Sequence, residues 1–259
     1  MVTANDFIPA PYTHSIDQGI FQWSAPSNIA LVKYWGKKEN QIPANPSVSF
    51  TLNNCKTITQ LAFAKKQNQD PSTFSFDLLF EGKPKEDFKP KIQKFLERIE
   101  IYLPFLKDYH FTIDTQNTFP HSSGIASSAS GMAALAMNLM SLEKELNPAM
   151  TEEYFHQKAS FLARLGSGSA SRSIEGELIV WGNHKEIEGS SNLFNFALKN
   201  KIRLIYSATS ASLGNSGKDM NLSPYAFSKA KNLELLENLK KWFNFSYEVI
   251  YFYNVYGER

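Results

Sequence analysis

A mixed chain, antiparallel strands with amphipathic helices beside them, is the fold class this sequence predicts, on three observations. Pro46–Leu52, Thr57–Phe63 and Thr73–Phe80 alternate apolar and polar residues at the strand period. Lys91–Leu103 places apolar side chains at 92, 95, 96, 99 and 103, a helical stripe. Finally, Phe119–Gly131 (Phe-Pro-His-Ser-Ser-Gly-Ile-Ala-Ser-Ser-Ala-Ser-Gly) runs straight into the apolar stretch Met132–Leu142, which reads as a loop feeding the first turn of a helix.

The elements follow in order. Residues 1–20 are polar with prolines at 9 and 11, an irregular arm. Phe21–Trp35 contains Ile-Ala-Leu-Val, a buried strand or a short helix, and ends in a lysine-bearing aromatic corner. Glu81–Pro84 is a turn, and His110–Asp114 a short strand leading to the Ser-rich loop. Thr151-Glu-Glu reads as a helix cap with acids in the first turn, and Tyr154, Phe155, Phe161, Leu162 and Leu165 mark the helix that follows. Gly166-Ser-Gly-Ser-Ala-Ser-Arg-Ser173 is a second small-residue loop, and Glu177–Trp181 a strand.

Composition narrows the partners. The 259 residues carry 27 basic and 25 acidic side chains, a net charge of +2, so neither nucleic acid nor a membrane surface is favoured. The 42% hydrophobic content suits a packed core. Cys55, the single cysteine, rules out an intrachain disulfide and agrees with a reducing compartment. No apolar run reaches membrane-span length and the N-terminus lacks a signal pattern, so the expected location is the cytoplasm. The five histidines are scattered and no metal-ligand spacing occurs. His121 lies in the first loop and reads as an ordinary polar loop residue.

The chemistry sits in the loops. The first N–H groups of a helix have no internal partner and lie at the positive end of its dipole, so a Ser-rich helix start suits phosphate oxygens. Lys37 and Lys38 beside Gly36 suit a phosphate-bearing ligand or form a solvated turn. Arg172 after the second loop has the fork geometry for a carboxylate or phosphate. Together these features point to a ligand with several phosphates.

Ser27-Asn-Ile-Ala-Leu-Val-Lys-Tyr-Trp-Gly-Lys37, Asn45-Pro-Ser-Val-Ser-Phe50, Pro120–Gly131 and Gly166–Ser173 resemble the diphosphomevalonate decarboxylases, members of the GHMP kinase superfamily, from about residue 20 to about residue 194. The resemblance implies the α+β GHMP kinase N-terminal fold (ribosomal S5 domain 2-like) and an ATP-dependent reaction. In that reaction the 3-hydroxyl of diphosphomevalonate is phosphorylated, then phosphate and carbon dioxide leave to give isopentenyl diphosphate. It implies Ser127, Ser128 and Ser130 as nucleotide contacts in the phosphate loop. Tyr34, Trp35, Gly36 and Lys37 line the substrate site, with Ser167, Gly168, Ser169, Ala170 and Ser171 near its diphosphate and Arg172 facing its carboxylate. Lys37 and Arg172, with Mg²⁺, neutralise developing charge. Members of the family are often homodimers. Ser171 departs from the family's usual cysteine, a swap that a polar loop tolerates.

The remainder departs further. The family's second domain supplies the aspartate regarded as catalytic base, whereas residues 195–259 read as strand, helix and strand and are similar to extended short-chain dehydrogenases of the sugar-nucleotide epimerase and dehydratase type. Tyr225 and Lys229 match their Tyr-x-x-x-Lys pair, one helix turn apart so that the ammonium lowers the phenol pKa, and Thr209 matches their catalytic hydroxyl. No Gly-x-Gly-x-x-Gly turn for the dinucleotide is present. The expected organisation is therefore a GHMP N-terminal domain over 1–194 and a partial Rossmann-like fragment over 195–259, joined near 191–196, with impaired decarboxylase activity. A sugar-nucleotide epimerase fragment and a non-catalytic fusion product are the alternatives.

Overall fold

Strand β1 (Gln18–Val32) and strand β2 (Ser47–Lys65) pair antiparallel along nearly their whole lengths and organise everything else. The computed structural model describes residues 3–32, 34, 36–44, 47–67, 73–120, 125–182, 190–192, 205–207 and 250–252. The remaining strands are β3 (Ser75–Phe80), β4 (Lys83–Pro84), β5 (Tyr109–Asn117), β6 (Leu178–Trp181), β7 (Ser190–Asn192), β8 (Ile205–Ser207) and β9 (Ile250–Phe252). The helices are α1 (Lys89–Ile99), α2 (Ser127–Leu146) and α3 (Glu152–Gly166).

The two alternating stretches at 46–52 and 57–63 form a single strand, β2, because both halves have a partner in β1. The half at Thr57–Lys65 also pairs with β5, and the half at Ser47–Phe50 with β6. The sheet order is β4-β3-β5-β2-β6-β7, with β1 on β2. It is mixed rather than antiparallel throughout, since β3 runs parallel to β5, the connection between them passing through α1. Glu81 and Gly82 both have positive φ (54° and 73°) in the two-residue turn joining β3 to β4.

One face of the sheet carries the core. Leu61, Phe63, Phe111 and Ile113 point into it and meet Ile92, Phe95, Leu96 and Ile99, the stripe of α1. Helix α2 is buried almost all round, including Leu135, Leu139, Met140 and Leu142, each worth about 1.5–3 kcal/mol when removed from water. Thr151 caps α3 by accepting a hydrogen bond from the Tyr154 amide (3.2 Å), as the sequence predicts.

The expected irregular arm is docked instead. Ala4–Phe7 forms a 3₁₀ turn, Phe7 stacks on Phe161 (centroids 4.8 Å apart), and β1 already starts at Gln18. Tyr12 reaches a buried Glu143 and the His14 amide donates to Leu146 O, so polar sequence conceals a few inward anchors. No helix among the described residues is long and apolar enough to cross a membrane. Of the 195–259 segment, β8 and β9 are described and pair parallel, Ile205 with Ile250. The rest of the expected Rossmann-like fragment lies outside the described residues.

Candidate functional site

The site begins at a fault in the β1–β2 ladder. Pro26 pairs with Lys56 but Ser27 with Leu52, so Asn53–Cys55 are left out of register. Such a bulge bends the strand and re-aims its side chains. Ser27 and Asn28 are consecutive yet both are buried, against the strict alternation of a regular strand. On β2 the phase is inverted: Ser47 and Ser49 are buried while Val48 and Phe50 are half-exposed. A polar recess is thus built into the sheet itself.

The second loop closes this recess. After α3 the chain turns through the 3₁₀ segment Gly168–Ser173, whose residues are buried except for the half-buried Ser169. Asn28 Nδ2 donates to Ser173 Oγ (2.7 Å) and to Ser169 O (3.3 Å), and Ser171 Oγ donates to Gly168 O (3.1 Å). Ala170 is fully buried, its amide donating to Ser167 O (2.7 Å), and Ser167 is half-buried. Arg172, only 3% exposed, donates from Nη1 to Ser47 Oγ (2.6 Å) and lies over the Trp181 ring, 5.3 Å from its centroid. Burial pushes its pKa down to about 10, with the nearby Tyr34 opposing. Ser27 Oγ, Asn28 Oδ1, Ser49 Oγ and Arg172 Nε are buried without a hydrogen-bond partner. Orphaned buried polar atoms of this number call for a ligand or water to satisfy them.

The aromatic corner sits beside it. Tyr34 meets Trp181 edge-on (4.8 Å), and Lys37 Nζ lies 5.7 Å from the Tyr34 centroid. Gly36 has φ 134°, and the chain from it folds back so that the Ala44 amide donates to Gly36 O (2.9 Å). Lys37 donates to Gln41 Oε1 (2.7 Å), and Gln41 O abuts Gly168, so this turn and the second loop touch. The Lys37 residue is exposed by area, but the packed turn withdraws water from its ammonium. That desolvation, with Arg98 second, lowers its pKa, and Lys91 is lowered by burial and then by Lys37. Arg98 anchors on Leu165 O (3.0 Å) at the end of α3. Lys37 thus lies within electrostatic reach of Arg98 and Lys91, and none of the ion pairs among the described residues engages the three.

The first loop arrives from the other side. Ala126, the residue before α2, is left-handed (φ 61°, ψ 41°), which ends the loop abruptly and starts the helix. Ser127 is half-buried and Ser128 exposed, both in the first turn. Ser130 faces the sheet instead: it is fully buried and its hydroxyl is shared with Thr57 Oγ1 (2.6 Å) and Ser127 O (3.1 Å). A Cβ on Gly166 would approach Met132 Sδ to 2.9 Å, so the start of α2 and the start of the second loop are in contact.

The structure thus brings Tyr34, Gly36, Lys37 and the loop 167–172 together, packs the helix that begins with Ser127 and Ser128 against the second loop, and adds Asn28, Ser47 and Ser49 beside Arg172, with Lys91 and Arg98 in electrostatic reach of Lys37; the sequence analysis gives these five no role. A polar residue embedded in an apolar strand run, such as Asn28 before Ile-Ala-Leu-Val, is the signal that could have found the first. Trp35, His121, Thr209, Tyr225 and Lys229 lie outside the described residues. Among the described residues no group of three or more His, Cys, Asp or Glu could hold a metal ion. Ser75, His110 and Asp77 line up on the open face of the sheet (2.7 Å and 3.3 Å contacts), but the ladder there pairs its own amides and leaves no donors for an oxyanion.

Comparison with known proteins places this architecture. The diphosphomevalonate decarboxylase from Ganoderma lucidum is 35% identical over 184 residues, 66% of this chain and 43% of the relative. The crystal structure of mevalonate diphosphate decarboxylase from Staphylococcus aureus superposes with a TM-score of 0.52 at 32% identity, covering 67% of this chain and 50% of the other. A further structure, described as MDDEF in complex with MVAPP, AMPPCP and magnesium, gives 0.52 at 30% identity over 70% and 53% of the two chains. The chain therefore spans about half, or less, of the length of the relatives it matches. A second pattern, that of the NAD dependent epimerase/dehydratase family, matches residues 146–259 and overlaps the first match over α3, the second loop and β6. That overlap packs within the seven-stranded sheet, β6 pairing with β2. With the diphosphomevalonate decarboxylase-like N-terminal domain pattern matched over residues 25–193, and with a bulged strand pair, two adjoining serine loops and a buried arginine, the chain belongs to that family.

Proposed function

We propose that residues 1–194 bind a diphosphorylated hydroxy acid of the diphosphomevalonate type beside a nucleotide, the arrangement used for ATP-dependent decarboxylation to isopentenyl diphosphate in the mevalonate route to isoprenoids. The observation that carries this reading is Arg172: a buried guanidinium with a serine and an aromatic ring for company and an Nε without a hydrogen-bond partner. A carboxylate completes such a group, since bidentate Arg–carboxylate bonds are among the strongest charge-assisted ones. Lys37, Lys91 and Arg98 supply the charge for the diphosphate, and the part-exposed Ser167 and Ser169 supply hydroxyl donors.

Ser127, Ser128 and the first-turn amides of α2 fit nucleotide phosphates, by the dipole and unpaired-donor argument above. ATP bound there supplies the phosphoryl group that turns the tertiary hydroxyl into a leaving group. Mg²⁺ would be carried by the nucleotide's phosphates, consistent with the donor set at this helix start being hydroxyls and amides. Ser130 takes no direct part, because its hydroxyl is committed to Thr57; its role is to hold the first turn of α2 on β2. Lys37 and Arg172 fix and neutralise the two ends of the substrate, and Asn28 braces the second loop through Ser173 and Ser169.

Turnover is a separate matter. The base for the hydroxyl is expected from an aspartate of the family's second domain, which lies outside residues 1–194, so we propose binding, not turnover, for these residues; residues 146–259 match the epimerase pattern. We infer two units, 1–194 and 195–259, the latter a βαβ piece of an epimerase-like sheet; the parallel pairing of β8 with β9 supports it. Titration calorimetry of the full chain with mevalonate 5-diphosphate tests the main reading. Saturable heat that is lost in Arg172→Met supports it, and no heat at millimolar ligand overturns it.

A further inference from the structure

Resting on that reading of the recess, we propose that Trp181 is the positioning residue for Arg172: its indole face holds the guanidinium in plane so that the Nε edge stays open to the ligand's carboxylate. Trp181 ends β6, is fully buried, and touches the aromatic corner, the second loop and Arg172. It sits opposite Ser47 in the β2–β6 ladder, the residue whose hydroxyl receives Arg172 Nη1. Its ring lies 5.3 Å from Arg172 Cζ and meets the Tyr34 ring edge-on at 4.8 Å. A Cβ on Gly168 would overlap it, 2.7 Å from Cη2 and nearer still to Cζ2, so the second loop is laid directly on the indole.

Packing alone does not account for an indole here. Trp181 Nε1 is buried without a hydrogen-bond partner, a cost that a phenyl ring of nearly equal reach would avoid. What the indole adds is the strongest π-face available to a side chain, and a desolvated guanidinium benefits most from it. The arginine has a serine on one edge, its Cζ over the indole at 5.3 Å and nothing on Nε. A neutral π-face holds the guanidinium without occupying the fork, which an acidic partner would block.

The test replaces Trp181 in the full-length chain with singly, then multiply fluorinated tryptophans by site-specific incorporation. Fluorination weakens the π-face at nearly constant shape. Affinity for mevalonate 5-diphosphate is expected to fall stepwise, by roughly tenfold across the series, while the thermal midpoint stays within a degree or two. An affinity that is flat across the series overturns the proposal. Should the unsubstituted chain not bind the ligand, the reading of the site fails, yet the positioning claim is still decided in free protein. There the Arg172 Nε–H resonance, assigned with Arg172→Lys, is expected to carry an upfield ring-current shift that disappears in Trp181→Leu. A random-coil Nε–H shift in the unsubstituted protein overturns it.

Discussion

Two cations among the described residues are buried, and their surroundings differ. Lys158 on α3 is fully buried and donates to Glu143 Oε1 on α2 at 2.5 Å; Tyr12 of the N-terminal arm donates to the same oxygen at 3.0 Å, and the Tyr154 ring lies 5.8 Å from the ammonium. Arg172 is nearly as buried but has a neutral serine and a tryptophan for partners. Burial depresses both pKa values, in Lys158 against the pull of Glu143. The first charge is paired by a carboxylate, although Glu143 Oε2 has no hydrogen-bond partner, and it ties the arm, α2 and α3 together. The second has no carboxylate partner among the described residues, the pattern on which the proposed binding role of Arg172 rests.

The largest effect should come from breaking the buried pair. Lys158→Met leaves Glu143 buried without its cation, with an expected loss of about 3–5 kcal/mol of unfolding free energy. The triple change Lys158→Met, Glu143→Leu, Tyr12→Phe removes every polar member and should recover most of that loss in urea titrations. If the triple variant is as unstable as the single one, the cluster is not acting as a unit.

Arg172→Met sharpens the contrast from the other side. Removing an uncompensated buried charge should leave stability within about 1 kcal/mol of the parent, or raise it. Affinity for mevalonate 5-diphosphate should drop roughly tenfold to a hundredfold, the worth of one or two charged hydrogen bonds. Denaturant midpoints and calorimetry on the same preparation check both halves. A smaller effect separates the arm from the pair: Tyr12→Phe deletes one hydrogen bond to Glu143 and should cost about 1 kcal/mol, with faster proteolysis before residue 18 and unchanged ligand affinity.

This contrast also shows what the sequence can carry. Periodicity is a one-dimensional signal, so the stripe of α1 and the Thr151 cap were readable from residues 91–103 and 151–154. The phase of a strand is harder. Pro-Ser-Val-Ser-Phe predicts alternation but not that the serines face inward, because that depends on the bulge opposite Asn53–Cys55 and on β6 arriving alongside. Asn28 was hidden for the same reason. Ser130 looked like its neighbours Ser127 and Ser128, yet one hundred degrees of helix rotation per residue carries it onto Thr57. The loops and Arg172 were legible through small residues and a lone arginine, whereas Lys91 and Arg98 on the polar face of α1 look like any solvated lysine and arginine until the fold brings Lys37 beside them.

The smallest expected effect is on the pH dependence of stability, where the two members of the buried pair act with opposite sign in different windows. Burial raises the Glu143 pKa above its ordinary 4.5, outweighing Lys158 and Tyr12, so the folded chain keeps that proton to higher pH than the unfolded one. Between 4.5 and the raised value the folded state binds more protons, and stability contributed by this group is lost as pH rises through that window. Lys158 acts at the other end: depressed below 10.5, it releases its proton earlier when folded, so stability rises with pH in the window below 10.5. Urea midpoints measured from about pH 4 to about pH 7 should therefore show a downward contribution that Glu143→Gln removes and Arg172→Met leaves in place. A slope untouched by Glu143→Gln would mean that the carboxyl stays ionised throughout, and that the ion pair with Lys158 dominates over burial.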